Sequence, residues 1–400
     1  MALATLSPAR RAAHAVVVRV LTQGAYADRA LHGEARGLSP RDRALAKQLA
    51  FGTVQRRLTL DHVIAGRADR RLEPPVRAAL QLGLFQLLFL DGVADHAAVS
   101  EAVELAKPSP GHRLVNAVLR RVAREGADLP PDDTPEGAAI RHSHPEWLVR
   151  RWWDELGAEE TRALLAADNE PAELALRLNP LVSGAPLDDL PGERHGETVV
   201  VNEAFDAFGH PGWAAGGFTV QSRASQLVAP AVDPGPGERV LDLCAAPGGK
   251  TTHLAALMGG DGEVVAVERH PGRAEALRRT CARMRARNVS VVTADAATFE
   301  DARGFDRVLL DPPCSGLGTL RSHPDLRWRA SPAQLERLAA EQDALLDRAR
   351  ALLRPGGPGV LVYSVCTISR VEERLQGTEI WRTFPHRDAT DGFYIARDGS

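Results

Sequence analysis

Five short apolar runs, at 240–243, 264–267, 289–292, 308–310 and 360–363, constrain the fold of this chain more than any other feature. Each begins with valine, is too short for a helix, and is followed by a loop and a helical stretch. That order predicts a doubly wound parallel sheet. Apart from Asp242 and Ser290 the runs are apolar rather than alternating, so both faces of the sheet are expected to be covered. Such a sheet gathers its ligands at the carboxyl ends of its strands, which makes the residues just after each run the functional candidates.

Two of those positions are cysteines. Cys314 closes Asp311-Pro312-Pro313-Cys314, and Cys366 lies 52 positions later in Tyr363-Ser364-Val365-Cys366-Thr367. One crevice is thus offered two thiols. Four cysteines in 400 residues, with charges but no apolar leader at the start, predict free thiols in a reducing cytoplasm and no disulfide framework. The longest apolar stretch, 80–90, is interrupted by Gln81 and Gln86. It is shorter than the roughly 20 residues that span a bilayer, so no membrane partner is expected.

The amino-terminal part reads differently. Ser7-Pro8 and Ser39-Pro40 each set a capping residue before a proline suited to the first helical turn, and apolar residues then recur at helical spacing. Residues 1–126 carry 19 basic against 11 acidic side chains, a net of +8, while the overall charge is -3. The remaining 274 residues therefore carry -11. A basic helical module joined to an acidic α/β module points to a polyanionic partner held mainly by the first. The stretch 112–124 sets Arg113, Arg120, Arg121 and Arg124 against Leu114, Val118, Leu119 and Val122, a helix with a basic side and a candidate RNA surface. Pro130, Pro131 and Pro135 mark a linker. The domains expected are 1–128, helical; 129–210, a linker and small connecting region; and 211–400, the catalytic α/β domain. Trp147, Trp152 and Trp153 in the middle region could stack on bases, but aromatics at helical spacing usually belong to a core, and they stay unassigned.

The first strand of the α/β part opens into Cys244-Ala245-Ala246-Pro247-Gly248-Gly249-Lys250-Thr251. Small residues and paired glycines let backbone approach a ligand, and the following helix begins with free amide donors. Gly-Lys-Thr also ends a phosphate-binding loop, but the first glycine of that pattern falls at Cys244, which disfavours an NTPase. Glu268, 20 residues beyond Gly248, ends the second strand where an acid can bond ribose hydroxyls. Asp295 closes the third strand and could accept from an adenine amino group. Nothing here demands pyrophosphate, so S-adenosyl-L-methionine fits better than a dinucleotide.

At Asp311-Pro312-Pro313 the prolines stiffen the chain and fix the acid relative to the next side chain. Amine methyltransferases hold an aromatic ring there; this chain has Cys314. A thiol suits carbon methylation, because cytosine C5 becomes nucleophilic only after a thiolate adds at C6. Spacing alone leaves open which thiol attacks. Lys250, one of three lysines beside 46 arginines, is expected near the cofactor or the carboxylates. Arg321, Arg327 and Arg329, with His323 and Trp328, are expected to offer substrate phosphates positive potential and the base a stacking surface. Cys281, in a helical stretch, reads as buried packing.

The runs CAAPGGKT, DPPCSGLGTLRSHPDLRW and YSVCTIS, with FTVQSRAS upstream, resemble the signature motifs of the Sun (Fmu) family of RNA cytosine-5 methyltransferases. ADHAAVSEAVELAK and RLVNAVLRR are similar to the NusB-type RNA-binding domain of that family's bacterial members. The resemblance implies an all-α NusB-like domain followed by a Rossmann-like methyltransferase domain, with 16S ribosomal RNA as substrate, single-stranded or locally opened. It also implies that Cys366 attacks C6, Cys314 assists release, and Asp311 touches both cofactor and cytosine edge. Cys244, Ala245, Ala246, Pro247, Gly248, Gly249, Lys250, Glu268 and Asp295 would hold S-adenosylmethionine. A monomer without metal is expected. Val371-Glu372-Glu373-Arg374 departs from the family's acidic residues followed by asparagine, the stretch after it is short, and Gln221-Ser222 replaces Gln-Asp. The alternative is an RNA-binding or ribosome assembly factor of the same fold without turnover.

Overall fold

The computed structural model describes residues 6–68, 71–357 and 359–399. The chain forms two compact units. One contains the residues up to Glu170 together with Leu320–Arg329; the other contains Pro171–Thr319 and the residues from Ala330 onward. The stretch 129–210 is therefore divided between the units at Glu170 and Pro171.

The first unit is helical throughout its described residues: Pro8–Gln23, Ala27–Glu34, Pro40–Gln55, Arg57–Ala65, Pro74–Phe89, Asp95–Ala106, His112–Glu125, Pro135–His142, Glu146–Leu156 and Ala158–Ala167, with the short turn Leu326–Arg329. Both serine caps form. Ser7 accepts from the amide of Arg10 and Ser39 from that of Asp42, each ahead of a proline in the first turn. The apolar stretch at 80–90 is the buried helix of this core, and its glutamines have partners. Gln81 Nε2 donates to Asp61 Oδ1 at 2.7 Å and Gln86 Oε1 accepts from Arg10 Nε at 2.7 Å, which lets polar residues sit inside it. Gly52 allows the close crossing of Pro40–Gln55 and Pro74–Phe89, since a Cβ there would meet Phe85 Cζ at 2.0 Å. Helix His112–Glu125 buries Val115, Val118, Leu119 and Val122 and exposes Arg113, Arg120, Arg121 and Arg124. Trp152 is wholly buried and belongs to the core. Among the described residues no helix is long and apolar enough to cross a membrane.

The second unit holds two sheets. The smaller comprises β1 (Leu174–Leu178), β2 (Glu193–His195), β3 (Thr198–Val201) and β4 (Phe218–Val220), antiparallel in the order β2-β3-β1-β4. The larger comprises β5 (Arg239–Asp242), β6 (Glu263–Val267), β7 (Val289–Val292), β8 (Arg307–Leu310), β9 (Val360–Val365), β10 (Glu379–Thr383) and β11 (Phe393–Asp398). Its order is β10-β11-β9-β8-β5-β6-β7. The five apolar runs of the sequence are the five parallel strands β5 to β9. The hairpin β10–β11 joins antiparallel at the β9 edge, so the sheet is mixed rather than wholly parallel. Alternate residues feed two cores: Val240, Val264 and Val362 on one face, Leu241, Val265 and Leu361 on the other. Strand order reverses between β5 and β8. That switch point opens a crevice at their carboxyl ends.

Candidate active site

The turn after β5 is pinned to its neighbours by backbone bonds. Leu243 N donates to Leu309 O at 2.9 Å and Ala245 N to Val267 O at 3.0 Å, fixing the loop between β8 and β6 before helix Gly249–Leu257 begins. Gly248 takes the left-handed conformation at φ 104°, and a Cβ there would come within 2.6 Å of Leu277 Cδ1, so glycine is required. Asp242, at the head of the turn, is buried. Its Oδ2 accepts from Thr251 Oγ1 at 2.7 Å, while Oδ1 is buried without a hydrogen-bond partner among the described residues. Burial pushes this carboxyl up to about 7; Asp311 adds to the shift, and the Thr251 bond and Lys250 oppose it. Glu268 ends β6 buried, with Oε1 accepting from His270 N at 2.8 Å. Asp295, exposed after β7, accepts from Ala297 N at 2.9 Å. The Cys244 thiol is pushed far up by burial and then by Asp311, Asp242, Glu268 and Glu341. Cys281 packs in the core, where burial raises its thiol to about 12.

Beside this turn β8 and β9 bring the two cysteines together: Cys314 Sγ lies 3.3 Å from Cys366 Sγ. Lys250 Nζ donates to Asp311 Oδ2 at 2.6 Å, Ser364 Oγ donates to Asp311 Oδ1 at 2.8 Å, and the ammonium lies 5.3 Å from the centre of the Phe393 ring. Burial works against the Lys250 charge, but the Asp311 carboxylate outweighs it, with Cys366 and Asp242 adding, and the net shift is upward. Cys314 is pushed well above the ordinary thiol range, first by its hydrogen bond to Cys366, then by burial and by the charges of Cys366, Glu372 and Asp311. The Cys314 thiol is thus held in its protonated form beside Cys366. Backbone bonds lock the two loops: Gly318 N donates to Cys366 O at 3.0 Å and Gly392 N to Gly318 O at 2.7 Å.

The structure relocates the arginine-rich loop. Leu320–Arg329 belongs to the helical unit, where Arg327 is fully buried. Its Nη1 donates to Ser143 O and Asn169 Oδ1, and its Nη2 to Asp168 O, each at 3.1 Å, while burial lowers its guanidinium to about 10. Trp328 Nε1 donates to Val54 O at 2.7 Å, and Arg329 donates to Asp325 at 2.9 Å and to Gly24 O at 2.7 Å. Arg327 is therefore structural, which corrects the expectation that it meets substrate, while Trp328 and Arg329 are tied down by these bonds but stay partly exposed. Arg321 is half-buried and His323 exposed. Backbone carbonyls left over at helix ends supply the acceptors that make such burial tolerable.

Arg177, near the site, escaped sequence reasoning. Arg177 of β1 is fully buried and braces the glycine turn from behind, donating to Gln221 Oε1 at 2.7 Å, Thr252 Oγ1 at 3.0 Å and Gly249 O at 3.2 Å. An arginine inside the otherwise apolar segment Leu174–Leu178 was the available signal.

Comparison with known proteins gives a consistent picture. The family described as 16S rRNA methyltransferase RsmB/F matches residues 229–380, the NusB family residues 7–124, and the ferredoxin-like domain of RsmF/B-like methyltransferases residues 144–184. A Synechocystis sp. protein named "Probable ribosomal RNA small subunit methyltransferase B" is 36% identical, covering 92% of this chain and 93% of its own. Ribosomal RNA small subunit methyltransferase B of Pseudomonas putida is 33% identical over 94% of this chain and 88% of its own. The crystal structure of the protein PH0851 superposes with a TM-score of 0.80 at 24% identity, covering 98% of this chain and 99% of that one, a likeness of fold.

Proposed function

The chain belongs to the 16S rRNA methyltransferase RsmB/F family, and we propose that it methylates cytosine C5 in 16S ribosomal RNA through a covalent adduct on Cys366. The observation that carries this reading is the pair of sulfurs 3.3 Å apart at the ends of adjacent strands, beside a lysine–aspartate pair. An amine methyltransferase has no use for two facing thiols.

S-adenosylmethionine would be held by Cys244, Ala245, Ala246, Pro247, Gly248, Gly249 and Lys250, with Glu268 on the ribose, Asp295 on the adenine edge and Asp311 alongside. These residues fit the group. Asp242 leaves a buried oxygen unpartnered at the head of the turn. When bound, the cofactor supplies an electrophilic methyl group.

Cys366 forms the S–C6 bond, and the ring electrons become an enamine whose C5 accepts the methyl. A Cys366 thiolate and the Lys250 ammonium stabilise one another. Asp311 bonds the cytosine edge and favours protonation at N3 as the adduct forms. After transfer a base takes the C5 proton, the C–H electrons re-form the C5–C6 double bond, Cys366 leaves as thiolate, and Cys314, the hydrogen-bonded neighbour of that sulfur, assists release. The target base must leave any helix it occupies, which suits single-stranded or locally opened RNA. Arg113, Arg120, Arg121 and Arg124 would meet RNA phosphates.

Methyl transfer from labelled S-adenosylmethionine to unmodified 16S RNA tests this reading. Cys366→Ala is expected to abolish both transfer and covalent complex; Cys314→Ala is expected to accumulate a protein–RNA adduct on denaturing gels. Adduct accumulation by Cys366→Ala instead would reverse the roles. RNA binding without methyl incorporation by the unaltered chain would favour an assembly factor.

A further inference from the structure

Behind the thiol pair lies a wholly buried carboxylate, Glu372, in the 3-10 turn Arg370–Glu372 that follows β9. Both of its oxygens are saturated with donors. Oε1 accepts from Ser315 N at 2.8 Å and Gln342 Nε2 at 3.1 Å; Oε2 accepts from Ser315 Oγ at 2.5 Å and Thr367 Oγ1 at 3.1 Å. Ser315 is the residue after Cys314, and Thr367 is the residue after Cys366. Their hydroxyls also meet each other at 2.9 Å. Gln342, buried in helix Pro332–Ala351, ties the same carboxylate to Pro313 O at 3.0 Å, and Tyr363 Oη reaches Glu372 O at 2.7 Å.

We infer that Glu372 is the positioning residue of the thiol pair: its carboxylate clamps the turns after Cys314 and Cys366 together and so sets the sulfur–sulfur contact. Without it, Ser315 N and the Gln342 amide lose a buried acceptor, and next to the cysteines the turns keep only the Ser315–Thr367 hydroxyl pair and the Gly318 N–Cys366 O bond. A carboxylate suits this post because it offers acceptors to four donors at once. Its charge has a second effect. Together with Cys366, Asp311 and burial, it keeps Cys314 protonated, while the Tyr363 hydroxyl and the Lys250–Asp311 pair complete the polar surroundings. This deepens the proposed methyl transfer and rests on it for kinetics only.

The test needs neither RNA nor cofactor. Dibromobimane, which bridges two neighbouring thiols, is applied to the full chain, and the Cys314–Cys366 link is followed by peptide mass; single alkylation by monobromobimane is read on the Cys314 peptide, separately from the peptides of Cys244, Cys281 and Cys366. Glu372→Ala is expected to slow bridging about tenfold or more, as a displaced reactive group does. It should also speed single labelling, because one negative charge beside Cys314 is gone. Opposite signs separate register from ionisation. Glu372→Gln, which keeps an oxygen for Ser315 N and can donate to the two hydroxyls, is expected to bridge within about threefold of wild type. If Glu372→Ala does not fold, Thr367→Val deletes one tie at constant shape and is expected to slow bridging about threefold.

Unchanged bridging in folded Glu372→Ala, or in Thr367→Val where the alanine variant fails to fold, overturns the inference. In methyl transfer, Glu372→Ala is expected to lose about 100-fold in kcat with KM for RNA unchanged, and Glu372→Gln to recover most of it. An unaltered chain that transfers no methyl would sink the proposed function and leave the bridging result standing.

Discussion

A single buried carboxyl carries a pH signature. Asp242 is held at about 7, above the ordinary aspartate value, with burial the largest cause. A raised folded-state pKa means that the folded chain binds the proton more tightly than the unfolded chain. The resulting stability is complete below about pH 4 and is lost as pH rises through about 7. Asp242→Asn keeps the shape and removes the charge, so it should flatten this slope and raise stability at pH 8 by up to about 4 kcal/mol, from a shift of about three units. Urea unfolding at pH 5 and pH 8 checks it, and equal gains at both values would refute it. Legibility at this scale followed chemistry. That the thiols, Asp311 and Lys250 come together was readable, because cysteine and lysine are scarce in this chain and the cysteines and Asp311 follow strand ends. Arg177, Arg327 and Glu372 were not, since a buried charge becomes visible only when its partners, distant in sequence, are assembled around it.

Among the elements, the parallel strands were legible for a physical reason: packed between two cores, they carry mostly apolar runs. Strand β10 exposes four of its five residues and β2 all three, so neither bears an apolar run or alternation that sequence could reveal. The loop after Cys314 depends on backbone approach. A Cβ on Gly318 would lie 1.9 Å from Gly392 O, at the point where backbone bonds join the Cys314 loop, Cys366 and the start of β11. Gly318→Ala must push backbone against backbone. It is expected to cost about 1–3 kcal/mol in urea unfolding and to reduce methyl transfer more than RNA affinity. A variant with unchanged stability and transfer would show that this junction yields freely.

For the whole molecule, the compact units do not follow chain order, since ten residues of the carboxyl-terminal half complete the helical unit. The consequence is a division of labour among arginines that composition cannot make. Arg120 and Arg124 are exposed on helix His112–Glu125, whereas Arg327 is sealed against backbone carbonyls. Arg327→Met should therefore cost about 3 kcal/mol of stability, since Ser143 O and Asp168 O lose their buried donor. It should leave the salt dependence of RNA binding unchanged under conditions where the chain stays folded. Arg120→Gln with Arg124→Gln should do the reverse, sparing stability and reducing the slope of log affinity against log salt by about 0.7 for each single-strand phosphate no longer neutralised. Chemical unfolding alongside salt titration of a 16S RNA fragment separates the two. A reduced slope for Arg327→Met at intact stability would return that side chain to the RNA surface, and a destabilised double variant would mean that the basic face packs rather than binds.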